Sequence, residues 1–231
     1  MQALEIETEE GYRVHRTGEL YGQFQTMEQQ KDSATLGMWI FLSTEILFFG
    51  GLFLTYTINR HTYPGVFAEA STTLSLKLGT INTLVLIASS LTMAMAVWSA
   101  EAAKKKLIPL FLVLTLILGC AFLFIKGIEY HDKYVEHHIP GLPFQLEPGS
   151  DAATNAHAQL FFSLYFGMTG LHALHMIVGV GLLIWLLRQS LKGRFTAEYN
   201  TPVENIGLYW HFVDIVWIYL FPLLYLIDRH K

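Results

Sequence analysis

Five stretches of this 231-residue chain are long and apolar enough to cross a lipid bilayer: residues 36–58, 79–100, 107–127, 158–187 and 206–227. A hydrocarbon core of about 30 Å takes about 20 helical residues. Within it every backbone polar group has to be satisfied inside the structure, which leaves helices or a closed barrel. Uninterrupted runs of this length are helical, so the fold class expected is an all-α integral membrane protein with five transmembrane helices. Composition agrees, since only 15% of residues are charged where a soluble domain carries about a quarter. A net charge of -4, with many acidic residues in the first 32 positions, supplies no basic field for nucleic acid.

The loops set the expected orientation. Lys104, Lys105 and Lys106 lie between the second and third spans, and Arg188, Lys192 and Arg194 between the fourth and fifth. The positive-inside rule puts these loops in the cytoplasm, with the N-terminus cytoplasmic and the C-terminus outside. Residues 1–35 read as a polar, glutamine-rich cytoplasmic segment without the layout of a secretory signal. Residues 36–231 read as the membrane domain, with an outer loop over 128–157. There is no internal repeat of the kind that builds two-halved transporters. Cys120, the one cysteine, forms no internal disulfide and reads as a small buried side chain.

Ionisable groups inside a span cost about 2.5 to 3.5 kcal/mol for Asp, Lys or Arg at the helix centre, and each needs a reason to be there. Glu45 lies about ten residues into the first span, near mid-bilayer, with nothing basic within a turn. It takes a partner from another helix or stays protonated, and the neutral acid is the expectation at pH 7. His172 and His175 share one face of the fourth span, and His211 and Asp214 have the same spacing of three on the fifth, beside Trp210. A short loop makes these spans antiparallel neighbours, so the two faces are expected to meet in a polar helix-helix seam. The competing reading is metal or haem. A transverse haem takes ligands from two facing helices and zinc takes three or four, whereas this chain offers two histidines on one helix and one on the next. His131, His137 and His138 in HDKYVEHH form at most a loosely spaced loop site. Glu129 sits at the end of the third span and reads as interfacial. Gly167, Gly170, Gly179 and Gly181 permit close helix approach, Pro222 permits a kink, and tryptophans near span ends suit the membrane interface.

Four segments together, LGMWIFLSTEILFFGGLF, KGIEYHDKY, MTGLHALHMIVGVGLLIWLLRQ and YWHFVDIVWIYLFPLLY, resemble subunit III of the haem-copper oxidases, respiratory enzymes that reduce dioxygen to water. The resemblance runs in order over residues 36–227. It implies a multi-pass subunit of the bacterial inner membrane with no redox centre of its own, the haems and copper residing in partner subunits. It implies direct packing on subunit I, with subunit II in the same complex, cytochrome c met only indirectly, and bound phospholipid. Glu45 matches the family's buried, carbodiimide-reactive carboxylate. His172 and His175 match its H-x-x-H, and Trp210, His211 and Asp214 its W-H-F-x-D. Arg188 matches an arginine that contacts a phospholipid phosphate, and Glu129 the glutamate before tyrosine. The resemblance further implies support of proton uptake by subunit I and protection against inactivation in turnover.

Five spans place the chain with bacterial forms that lack the two N-terminal helices of the mitochondrial subunit, between which and the remainder the lipid cleft lies. Glu45, where several quinol-oxidising relatives have aspartate, favours cytochrome c as donor over quinol. The readings from other classes are a haem-binding membrane anchor and a small transporter.

Overall fold

The computed structural model describes residues 22–141, 144, 152–196 and 199–227, and most of the expected N-terminal segment lies outside them. Among the described residues six helices run in order: α1 Met27–Thr62, α2 Pro64–Thr72, α3 Leu76–Glu101, α4 Leu107–Val135, α5 Ala152–Leu191 and α6 Thr201–Tyr225. All but α2 are long and apolar enough to cross a membrane, and the described residues contain no strand.

Local chemistry sets the boundaries. The Thr26 side chain accepts from the Gln29 N–H and opens α1 well before the apolar run begins. Ser75 does the same for α3 through the Leu78 N–H. The short helix α2, not foreseen in the sequence, begins on Pro64, whose fixed φ and missing N–H suit a first helical position. The α3–α4 connection turns through Ala103 at φ 55° and carries the three lysines. At the opposite end, α4 continues through Val135 and α5 begins at Ala152, so the connection expected over 128–157 is about half helix.

α3, α4, α5 and α6 pack as a ring of neighbours, and α1 lies against α5 and α6. α2 covers one end by packing on α5 and α6. Thus the backbone of α6 comes close to that of every other helix except α4, which α6 meets across the centre through its side chains, and it contributes Trp210, Trp217, Leu220 and Tyr225 there. Exterior apolar residues such as Leu47, Phe124 and Ile177 are more than half exposed, as a lipid-facing surface requires. Cys120 is also exposed, on the outside of α4 rather than in the core.

Two glycines determine how closely the ring closes. A Cβ on Gly119 would stand 2.7 Å from the Trp210 ring and one on Gly179 2.9 Å from it. The indole is therefore held between bare backbones of α4 and α5. Of the glycines expected to admit a neighbour, Gly179 does so, whereas Gly167 and Gly181 face open space. Gly119 escaped notice because it stands alone in an aliphatic run. Gly179→Ala is expected to destabilise the fold by about 1 to 3 kcal/mol through overpacking, and Gly181→Ala to leave it unchanged, as thermal unfolding of the detergent-solubilised complex would show.

Candidate functional site

The polar residues of the interior fall into separate groups, each tied to a different helix pair. At the end where α4 and α6 finish and α5 begins, Lys126 and Glu129 form a buried ion pair at 3.0 Å, their side chains 4% and 2% exposed. Lys126 also donates to the hydroxyls of Tyr225 at 2.9 Å and Tyr165 at 3.3 Å. The Tyr165 hydroxyl donates to Glu129 Oε1 at 2.9 Å, and the Tyr225 hydroxyl donates to the same oxygen. The ammonium also lies 4.9 Å from the Trp217 ring centre. Every charge has an opposite charge and further hydrogen bonds, the condition under which a buried pair is tolerated. The expectation of an interfacial Glu129 is corrected: the apolar run ends near residue 127, but the helix does not, so the carboxylate turns inward.

One turn further along α4, buried Lys133 donates to the Thr73 carbonyl at 2.7 Å and pairs with Glu136. His138 Nδ1 lies 3.1 Å from Glu136, and its ring stacks on Phe162. Of the histidines in this stretch, His138 thus serves local packing, while His131, on α4, and His137 are exposed. Among the described residues no three His, Cys, Asp or Glu side chains gather as a metal site.

Midway along α1 and α5, Glu45 Oε2 lies 3.2 Å from His175 Nε2. The other ring nitrogen, Nδ1, faces the Leu171 carbonyl at 2.9 Å. A carbonyl only accepts, so Nδ1 carries its proton and donates it. One proton then lies between Nε2 and the carboxyl group, on one or the other. Glu45 receives its partner from another helix, and the pair as a whole is neutral in either arrangement. Tyr209 on α6 donates its hydroxyl to the His175 carbonyl at 2.9 Å and closes the site from a third side.

His172 and His175 separate sharply despite their common helix face. His172 is 1% exposed, its ring between Phe122 of α4 and Trp217 of α6. Neither of its nitrogens has a hydrogen-bond partner among the described residues. Trp210 donates its indole N–H to Ser89 of α3 at 3.1 Å. His211 Nδ1 meets the Ser90 hydroxyl of α3 at 2.8 Å. Asp214 lies in the same α3–α6 cleft. The expected single seam between α5 and α6 is therefore not one seam. Each residue turns a helix by about 100°, which carries His211 and Asp214 toward α3, while Tyr209 faces α5. Arg188 is exposed near the end of α5.

Sequence reasoning missed Lys126, Tyr165 and Tyr225. The signal was present in LFIKGIEY, where a lysine precedes a glutamate by three residues inside an apolar helix.

A family model described as cytochrome c oxidase subunit III matches residues 142–228. The chain is 34% identical to the probable cytochrome c oxidase subunit 3 of Nocardia farcinica over 193 residues, or 84% of this chain and 87% of that one. Its identity to cytochrome c oxidase subunit 3 of Thermostichus vulcanus is 32% over 202 residues, or 87% and 90% of the two chains. The subunit 3 of Gadus morhua is 32% identical over 195 residues, which make up 82% of this chain but 67% of that longer one.

Proposed function

The chain belongs to the cytochrome c oxidase subunit III family, and on that premise we propose that it is the non-redox supporting subunit of a cytochrome c-oxidising, proton-pumping terminal oxidase in the bacterial inner membrane. In this reading haem and copper reside in partner subunits, and the chain packs on subunit I, with subunit II in the same complex. Its N-terminus is cytoplasmic and its C-terminus outside, as the distribution of lysine and arginine between loops favours. Arg188, exposed at the cytoplasmic end of α5, suits a phospholipid phosphate.

The observation that carries a supporting role in proton uptake is the pairing of Glu45 with His175. An intramembrane carboxyl group marks function by default, and this one shares a single proton with an imidazole whose other nitrogen is already committed. Side-chain exposures of 20% and 16% leave the pair within reach of the surface that a partner covers. Such a pair holds α1 on α5 and keeps a transferable proton at mid-bilayer depth.

Purification from the native membrane tests the assignment: the chain is expected to co-purify with a haem- and copper-containing large subunit. Haem absorption from this chain alone would overturn it. Glu45→Gln keeps a donor for Nε2 of neutral His175, whereas Glu45→Leu leaves that nitrogen without one, at a cost of about 1 to 3 kcal/mol. The leucine variant is expected to loosen α1 and hasten loss of oxidase activity during turnover. The glutamine variant is expected to keep α1 seated but, having no transferable proton, to slow proton uptake in the reconstituted oxidase; uptake at the wild-type rate in Glu45→Gln would overturn the proton role.

A further inference from the structure

Glu45 and His175 stand on helices that hold one another only lightly. α1 lies mainly along α6, with a smaller contact on α5, so the 3.2 Å between Glu45 Oε2 and His175 Nε2 depends on where α6 seats its two neighbours. That distance is at the long end of the hydrogen-bond range, and a further separation of about 0.4 Å takes the pair outside it.

One face of α1 carries Phe41, Glu45 and Phe49 at intervals of four. The Phe41 ring meets Tyr209 of α6 at 6.1 Å between ring centres, and the Phe49 ring meets Phe212 of α6 at 6.2 Å. Glu45 is therefore flanked, a turn to either side, by aromatic contacts with α6. Tyr209 reaches the other member of the pair as well. Its hydroxyl donates to the carbonyl of His175 itself at 2.9 Å, and its ring lies within 27° of parallel to the imidazole, 6.5 Å away. This approach needs the bare backbone of Gly179, where a Cβ would stand 3.3 Å from Tyr209 Cε1. Tyr209 is 3% exposed and thus spans, inside the bundle, from the α1 turn beside Glu45 to the α5 residue that Glu45 meets.

We propose that Tyr209 is the positioning residue of the Glu45–His175 pair: its ring seats α1, its hydroxyl pins α5 at the histidine, and together they keep the carboxyl group within hydrogen-bond reach of Nε2. The hydroxyl does what the ring cannot, because ring contacts are individually weak and undirected whereas a hydrogen bond fixes distance and direction. Groups that exchange a proton have to be held to about half an ångström. The inference rests on the proton role given to the pair above and adds the residue that sets its geometry.

Tyr209→Phe in the intact oxidase separates the two tasks, since it keeps the ring and removes the hydroxyl. The infrared band that Glu45→Gln abolishes is expected to be displaced in Tyr209→Phe. Proton uptake by the reconstituted oxidase is expected to slow about two- to tenfold, the span set by one hydrogen bond. In a Glu45→Gln background the same change is expected to slow uptake no further, because a residue that acts through Glu45 has nothing left to act on. A hydroxyl with a merely structural role would lower thermal stability and leave the band in place. An unmoved band overturns the proposal, as does a slowing that adds in full to that of Glu45→Gln. Wild-type uptake in Glu45→Gln alone overturns the proton role of the pair, and the band then decides the positioning role by itself. Should Tyr209→Phe fail to assemble, Phe41→Leu, at a position 40% exposed, frees α1 from the Tyr209 ring and is expected to move the same band; a band it leaves in place overturns the proposal.

Discussion

Lys126→Met is expected to destabilise the bundle by about 3 to 5 kcal/mol, the range for removing one partner of a buried ion pair. Among the described residues the ammonium is the sole cation bonded to Glu129, and it also donates to Tyr165 and Tyr225. Methionine matches the stem in length but supplies no charge and no donor. Glu129 would be left with two tyrosine hydroxyls and no counter-charge, deep among the aromatic rings of α5 and α6. Adding Glu129→Gln to Lys126→Met is expected to recover most of the loss. The amide is uncharged, and its oxygen still accepts from both tyrosines. Thermal unfolding of the four members of this cycle in the detergent-solubilised complex gives the coupling directly. Equal losses in the single and double variants would show that the site is held by packing rather than by charge.

The five spans could be read from length and apolarity because the bilayer forces both. The partner of Glu45 was legible as a requirement, an acid at mid-depth with no local cation, but its identity was not, since sequence does not show which helix lies across from α1. The polar core around Lys126 was hidden by a boundary. Hydropathy falls near residue 127, yet α4 carries its hydrogen bonds on to Val135, and a helix end shielded by protein need not be apolar. The direction of His211 and Asp214 failed for a related reason. That α5 and α6 are neighbours followed from their short connection, but α6 lies among α1, α3 and α5, and a spacing of three places two residues on one face without saying which neighbour that face meets. The contact of Trp210 with Gly119 and Gly179 joins residues 91 and 31 positions apart, which no local pattern announces.

That contact gives the other large effect. Trp210→Ala is expected to cost about 3 kcal/mol, the lower part of the range for a large aromatic side chain. A helix separated from its neighbours in a membrane still exposes its indole to lipid rather than water. The transfer contribution is therefore small, and what is lost is mainly dispersion and shape. The indole fills the space between α4 and α5 where both backbones are bare, and its N–H is bound to Ser89. Removal leaves a cavity lined by two glycines, which small side chains can refill. Gly119→Ala and Gly179→Ala, each harmful beside Trp210, are expected to become neutral or stabilising in the Trp210→Ala background. Such a reversal of sign marks residues that are in contact or share a cavity. Unfolding midpoints across the set would reveal it, and additive losses instead would mean that the glycines serve the helix backbones alone and that Trp210 does not set the spacing of the ring.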